Sequence, residues 1–262
     1  MGPGLRTAAS GMIAQQLRVE VISNNLSNVN TPGFKRSRAH FEDLLYQTVQ
    51  GASVLGQPDA DTLPAVQIGR GTRLSAVQRI DSQGPVETTG RPLDLAIEGE
   101  GFFQVRLPNG NIAYTRDGSF SISDQGVLVT SGGYGLIPEI VIPPEASQVQ
   151  VSRTGIVTAI MSDQPDPIEL GRLELARFAN SPGLLALGEN LYAETAAAGP
   201  PIIGIPQEDG FGRVLQGALE ASNVEIVQEM VDMIAALRAY EVSSKAVQVG
   251  EQMSEVTNAM VR

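Results

Sequence analysis

The sequence predicts a mainly β central domain, a sandwich or an open barrel, carried between N- and C-terminal α-helices that form a coiled-coil stalk. Three observations predict it. Apolar residues recur in alternating steps of three and four at both chain ends. Short runs rich in β-branched and aromatic residues recur through the middle, separated by Asn-Gly, Asp-Gly and Gln-Gly pairs. Neither terminal pattern is joined to another helix by the short loop that a helix bundle requires.

The first element is a helix whose seam is Leu5, Ala8, Met12, Gln15, Val19, Ile22, Leu26 and Val29. Only Gln15 is polar. At about 1.5 Å per residue, residues 5–29 reach roughly 37 Å. Asn30 suits a left-handed cap, Pro32 forces Thr31 into extended backbone, and Gly33 supplies a turn, so the helix stops there. Residues 35–70 form a connecting segment. Its polar stretch from Tyr46 to Leu63 reads as a flexible linker in an isolated subunit, with Asp59 and Asp61 as solvating charges.

Residues 71–219 form the β-rich outer domain. Phe102-Phe103-Gln104-Val105, Ile112-Ala113-Tyr114-Thr115, Ser119-Phe120-Ser121-Ile122, Gly155-Ile156-Val157-Thr158 and Leu173-Glu174-Leu175-Ala176-Arg177-Phe178 read as strands. Asn109-Gly110, Asp117-Gly118 and Gln125-Gly126 supply the tight turns.

The last element is a longer helix. Ser222 and Glu225 have capping-box spacing at its start. Ile226, Met230, Met233, Leu237 and Tyr240 make one seam, and Val242, Ala246, Val249, Met253, Val256 and Met260 make a second. The seam slips by two residues between Tyr240 and Val242, which turns the apolar stripe to another side of the helix. One partner helix cannot cover both stripes, so at least two neighbours are expected. Residues 1–34 and 220–262 thus form a polymerisation domain whose subunit interface is these two sets of seam residues. The competing reading is an intramolecular helix pair packed on a globular core.

Composition excludes several functions. The chain has 262 residues, a net charge of −11 and no cysteine. Its only lysines are Lys35 and Lys245, too few to neutralise phosphates, so nucleic acid is not an expected partner. Without cysteine there is no disulfide framework and no thiolate chemistry. No run of about 18 apolar residues exists, so no membrane insertion is expected. The start shows no apolar core of a secretory leader, and no cleaved signal peptide is expected. Charge is divided between the ends. Arg6, Arg18, Lys35, Arg36 and Arg38 oppose only Glu20 in residues 1–38, whereas acids prevail in residues 220–262. That division suits side-by-side association of copies.

Chemistry is absent from the pattern. His40 is the only histidine, and no nucleophile motif accompanies it. Gly69-Arg70-Gly71 and Gly99-Glu100-Gly101 do not complete a phosphate-binding loop and read as tight strand connections. Glu98 and Glu100 have no evident common cleft. Asn25-Leu26-Ser27 is a glycosylation sequon in form only, since it lies within the helix. No catalytic residue, metal site or cofactor is expected; the chain does not read as an enzyme.

Several motifs carry a resemblance. Ser23-Asn24-Asn25-Leu26-Ser27-Asn28-Val29-Asn30-Thr31-Pro32-Gly33-Phe34-Lys35 resembles the signature of the flagellar rod and hook axial proteins. Tyr114-Thr115-Arg116-Asp117-Gly118-Ser119-Phe120 and Gly188-Glu189-Asn190-Leu191-Tyr192 resemble motifs of that family's β domain. Ser222-Asn223-Val224 and Arg238-Ala239-Tyr240-Glu241-Val242-Ser243-Ser244-Lys245-Ala246 extend the likeness to the last helix. The stretch from Phe41 to Gly69 is similar to the insertion of the distal rod members. Met1-Gly2-Pro3-Gly4 departs from the pattern.

The resemblance implies a structural subunit of the bacterial flagellar basal body. It implies a helical homopolymer that forms a straight drive shaft and passes torque to the hook. The implied partners are the chain itself, proximal rod and hook proteins, ring bushing proteins of the cell envelope, and the flagellar type III export apparatus, with a periplasmic location. The alternatives are a proximal rod or hook subunit of the same family, and a secreted β-domain that binds carbohydrate.

Overall fold

A computed structural model describes residues 3–50, 66–161 and 166–260. The chain divides into two compact units. The first contains Met1–Leu26, Ser37–Gln78 and Glu225–Arg262, and the second contains Ser27–Arg36 and Arg79–Val224.

The first unit holds helix α1 (Pro3–Ser27), with proline near its first turn, where a missing N–H costs nothing. It also holds helix α2 (Ile226–Met260). Between them in sequence come β1 (Ser37–Asp43), β2 (Tyr46–Gln50), β3 (Val66–Gly69) and β4 (Thr72–Arg79). β1 pairs with β4 and β2 with β3, so the segment is a nested ribbon. Tyr46 stands opposite Gly69 and Gln47 opposite Ile68. The linker reading is therefore corrected for residues 46–50, which pair as a strand with residues 66–69. Asp59 and Asp61 lie outside the described residues. Gly71 makes the return possible: its φ is 112°, and a Cβ there would collide with the Ser10 hydroxyl.

Both helix ends differ from expectation. α1 stops at Ser27, and Val29 lies in the following turn, where the Thr31 N–H donates to the Asn28 carbonyl at 3.2 Å. Positive φ falls at Gly33 (69°) and not at Asn30. The capping box does not form. α2 starts at Ile226, while buried Ser222 turns its Oγ to accept the Val224 N–H at 3.3 Å.

The second unit is built from sixteen further strands: β5 (Val86–Thr88), β6 (Leu95–Glu98), β7 (Phe102–Arg106), β8 (Ile112–Thr115), β9 (Phe120–Ile122), β10 (Leu128–Thr130), β11 (Gly135–Ile137), β12 (Ala146–Val151), β13 (Ile156–Met161), β14 (Ile168–Arg172), β15 (Leu175–Arg177), β16 (Leu185–Gly188), β17 (Leu191–Ala193), β18 (Ile202–Gly204), β19 (Arg213–Gln216) and β20 (Ala218–Glu220). Nine strands form one sheet, with β7 at its centre between β8 on one side and β11 and β15 on the other. β12, β13 and β14 form a second sheet, and β6–β19 and β5–β20 are paired ribbons.

The sheet around β7 is covered on both faces, which explains why Phe102-Phe103-Gln104-Val105 is buried without a break. Phe103 and Val105 enter one cluster with Leu95, Ile97, Phe120 and Leu175, and Phe102 enters another with Tyr114, Phe178 and Tyr192. Phe103 and Phe120 meet edge to face at 5.2 Å.

Gly110 and Gly126 turn with positive φ as expected, but Gly118 does not. Its glycine is required because the Leu95 backbone passes where a Cβ would stand. Gly71, Gly99 and Gly101 all have positive φ at strand connections. Among the described residues, no helix is long and apolar enough to cross a membrane.

Candidate assembly interface

α1 and α2 meet antiparallel along a seam of small and polar residues. Four contacts set the register. A Cβ on Gly250 would press on Leu5, and one on Gly11 would touch the Ser243 Oγ at 3.6 Å. Arg18 reaches Asp232 at 3.4 Å, and Asn25 Nδ2 donates to Glu229 at 3.1 Å. Gly11, Arg18 and Asn25 stand one heptad apart, as do Glu229, Ala236, Ser243 and Gly250. Ala14, Ile22 and Ala236 are buried in this unit.

Asn25 is 1% exposed and saturated. It also donates to the Ser37 carbonyl and accepts the Ser37 N–H, both at 2.9 Å. The sequon at this position is therefore closed to modification.

The large apolar residues of α2 lie elsewhere on the helix. Ile226, Val227, Met230, Val231, Ile234, Leu237, Tyr240, Val242, Val249, Met253, Val256 and Met260 are exposed, from 39% at Tyr240 to 81% at Met260. At about 100° per residue, the two seams read from the sequence flank the small-residue seam, one on each side. α1 thus sits between them and covers neither. Of the seam residues expected on α1, Ile22 is buried, and Leu5, Ala8, Met12, Val19 and Leu26 are half-buried. Met233 is half-buried on α2, and Ile13, which the α1 seam omitted, is exposed. Val29 belongs to the second unit.

In the second unit, the motifs singled out in the sequence converge on one junction. Glu220 lies at its centre. Its Oε1 takes Lys35 Nζ at 2.5 Å and the Gly84 N–H at 2.9 Å, and Arg116 Nη1 stands 3.5 Å from Oε2. Lys35 donates a further bond to the Ser82 carbonyl at 2.8 Å, and Arg116 one to the Gly99 carbonyl at 2.7 Å. Burial pulls the Lys35 ammonium below its usual pKa, against the opposing pull of Glu220; burial likewise lowers Arg116.

Gly33 donates its N–H to the Glu220 carbonyl at 2.7 Å, and its Cα lies so near Arg116 that a Cβ would sit 2.7 Å from the Arg116 carbonyl carbon. Asn190 Nδ2 donates to the Pro32 carbonyl at 3.1 Å. Asn223 Oδ1 accepts the Arg36 N–H at 2.7 Å while its Nδ2 donates to Ile80 and Ser82 carbonyls. Thr31 Oγ1 donates to Asn28 Oδ1 at 3.2 Å, and the Phe34 N–H to the Thr31 carbonyl. Asn24 is exposed on α1. The arrangement ties residues 28–36 to residues 220–223 within the second unit.

One expectation, the use of the opposed terminal charges between copies, is narrowed here. Lys35 pairs with Glu220 within one chain and both are buried, so these two charges do not serve to join copies; half-exposed Arg18 reaches Asp232 in the same chain. Glu98 pairs with Arg213 at 2.7 Å, which holds its carboxyl below the usual range, and Glu100 approaches Arg177 at 3.7 Å. Each carboxylate is spent on an arginine. Sequence reasoning missed Glu220, Arg116 and Asn223 as parts of the junction. The signal was an acid at the end of the last strand and a lone arginine inside a turn motif.

Comparison with known proteins gives three family matches. Residues 5–35 match the flagella basal body rod protein family, residues 96–159 the flagellar hook protein FlgE/F/G D1 domain, and residues 215–260 the flagellar basal body rod FlgEFG protein C-terminal family. The flagellar basal-body rod protein FlgG of Caulobacter vibrioides is 49% identical over 257 residues, covering 98% of each chain. That of Borreliella burgdorferi is 50% identical over 260 residues, again 98% of each. The flagellar basal-body rod protein FlgF of Caulobacter vibrioides is 34% identical over 249 residues, 94% of this chain and 92% of its own.

Proposed function

Since the chain belongs to the FlgG family of flagellar basal-body rod proteins, as a structural subunit of the distal rod and not an enzyme, we propose that it polymerises helically with copies of itself into a straight shaft. Its place is the basal body, in assembly with other rod and hook components. The carbohydrate-binding alternative is set aside by family membership. The proximal rod or hook alternative is disfavoured by the 34% identity to FlgF against 49–50% to FlgG.

The observation that carries the proposal is the apolar surface of α2. A helix that is apolar on most sides belongs in an interior. Here α1 covers one seam and leaves large side chains exposed on either side of it. Completing the burial of one such half-exposed side chain contributes about 1 kcal/mol. The set together reaches the order of 10 kcal/mol, against an association cost of roughly 4–15 kcal/mol. Assembly therefore needs many seam residues at once, and one copy on each side of α2 accommodates both stripes.

The finer assignments rest on the same family membership. The terminal helices form the inner tube and the β unit the outer layer. The ribbon fills the gap between subunits, and the junction at Glu220 fixes the chain ends. The implied partners are proximal rod and hook subunits at the shaft's two ends, envelope ring proteins around it, and the flagellar type III export apparatus, with a periplasmic destination.

Electron microscopy of the purified full chain tests the proposal. Long tubes are expected at high concentration, and discrete particles of fixed size would overturn it. Leu237→Asp, on the exposed stripe, should abolish the tubes while leaving the β unit folded.

A further inference from the structure

The first unit has an open cavity of about 590 Å³ between α1 and the ribbon. Its walls include Arg6 and Thr7 of α1 and Leu44, Leu45, Ile68 and Arg70 of the ribbon. Leu45 is 86% exposed, and Ile68 is exposed as well. Among the described residues, no acid lines this hollow, so two arginines border a floor of leucine and isoleucine with Gln47 beside it. Such a socket suits an apolar segment that carries carboxylates.

The same chain presents that segment. Leu5 stands against Gly250, and α1 begins at Pro3. Residues 252–260 of α2 therefore run past the start of α1, roughly 13 Å of helix. This overhang carries Glu255 and exposes Val256 and Met260, with Glu251 at its base.

We infer that the α2 overhang of one copy seats in the α1–ribbon socket of a second copy. Val256 and Met260 cover Leu45 and Ile68, and Glu251 and Glu255 face Arg6 and Arg70. The apolar cover holds the joint, and the charges select which end enters. One surface meets a different surface, so the contact is heterologous. Repeated, it leaves an empty socket at one end and a bare overhang at the other, which extends a filament and does not close a dimer. The inference rests on the reading that the chain polymerises, and it names the surfaces.

The chain lacks cysteine, so engineered pairs can be read without background. The full-length chain carrying Leu45→Cys and Val256→Cys is oxidised under assembly conditions. A ladder of trimers and higher species is expected on non-reducing gels, with none beyond dimers from either single variant. Adding Arg70→Glu should remove most of the ladder, and adding Glu255→Arg to that chain should restore it. Circular dichroism of each variant keeps misfolding apart from lost contact. Tubes in the microscope without a ladder would overturn the socket while leaving polymerisation intact. A fast-running monomer, crosslinked within one chain, would overturn it too, as would a ladder indifferent to Arg70→Glu or not restored by Glu255→Arg. Absence of both tubes and ladder would overturn the polymerisation reading itself.

Discussion

Glu220 is a buried carboxylate held between two cations, and removing it should cost far more than removing either one. Glu220→Gln leaves Lys35 and Arg116 buried and facing each other, a loss on the order of 3–5 kcal/mol. Lys35→Met leaves Glu220 with Arg116 and the Gly84 N–H and should cost clearly less. Urea denaturation of the full chain, followed by tyrosine fluorescence, measures both; equal costs would mean that Lys35 alone sustains the site.

Gly33→Ala adds strain of a different kind. It combines a disfavoured φ of 69° with a Cβ against backbone that cannot swing away, for an expected loss of about 2–3 kcal/mol. A Gly33→Ala chain of unchanged stability would contradict the close approach.

A third residue reports on pH. Burial, and then the neighbouring Glu194, push the Tyr114 phenol up to about 12. In the unfolded chain it ionises near 10. Its contribution is therefore fully present below pH 10 and is lost as pH rises toward 12. Tyr114→Phe should move the alkaline unfolding midpoint upward, and an unmoved midpoint would remove Tyr114 as the cause.

At the scale of elements, the two faces of α2 should respond to substitution in different ways. Ala236 lies in the seam against α1, so Ala236→Leu overpacks it, at about 1–3 kcal/mol, and should loosen the helix pair. Val231→Asp lies on open surface and should leave the monomer's helical circular dichroism unchanged while abolishing tubes. If the two variants behave alike, the division into an inner and an outer face is wrong.

That division was only half legible in the sequence. The heptad period at both ends was visible because large apolar residues mark it. The seam that α1 and α2 share was not, because Gly11, Ala236, Ser243 and Gly250 carry no hydrophobic signal; their role comes from being small. The strands through β7, β8 and β13 were legible as β-branched and aromatic runs between turns. The ribbon was missed because Gln47, Thr48 and Gln50 break the apolar/polar alternation that marks a strand, and its partner strand starts at Val66, beyond a long intervening stretch. The junction was legible only as motifs. Nothing in the spacing of Lys35, Arg116 and Glu220 says that they meet, since residues 185 apart come together through the fold alone.

For the whole molecule, the account rests on an imbalance. The centre of the main sheet, around β7, buries its large side chains on both faces and leaves only edge positions such as Leu185 and Ile203 exposed, whereas α2 exposes large side chains along its whole length. A chain with a closed β core and one unsaturated helix gains by adding copies through the helix, which is the behaviour required of a rod subunit. The junction at Glu220 complements this by tying residues 28–36 to residues 220–223 within the β unit. Oxidative footprinting of Met230 and Met260 in dilute and in concentrated full-length protein tests the imbalance most directly. Both methionines should oxidise rapidly in the dilute monomer and become at least several-fold protected as tubes form. Equal oxidation rates in monomer and tube would contradict the account.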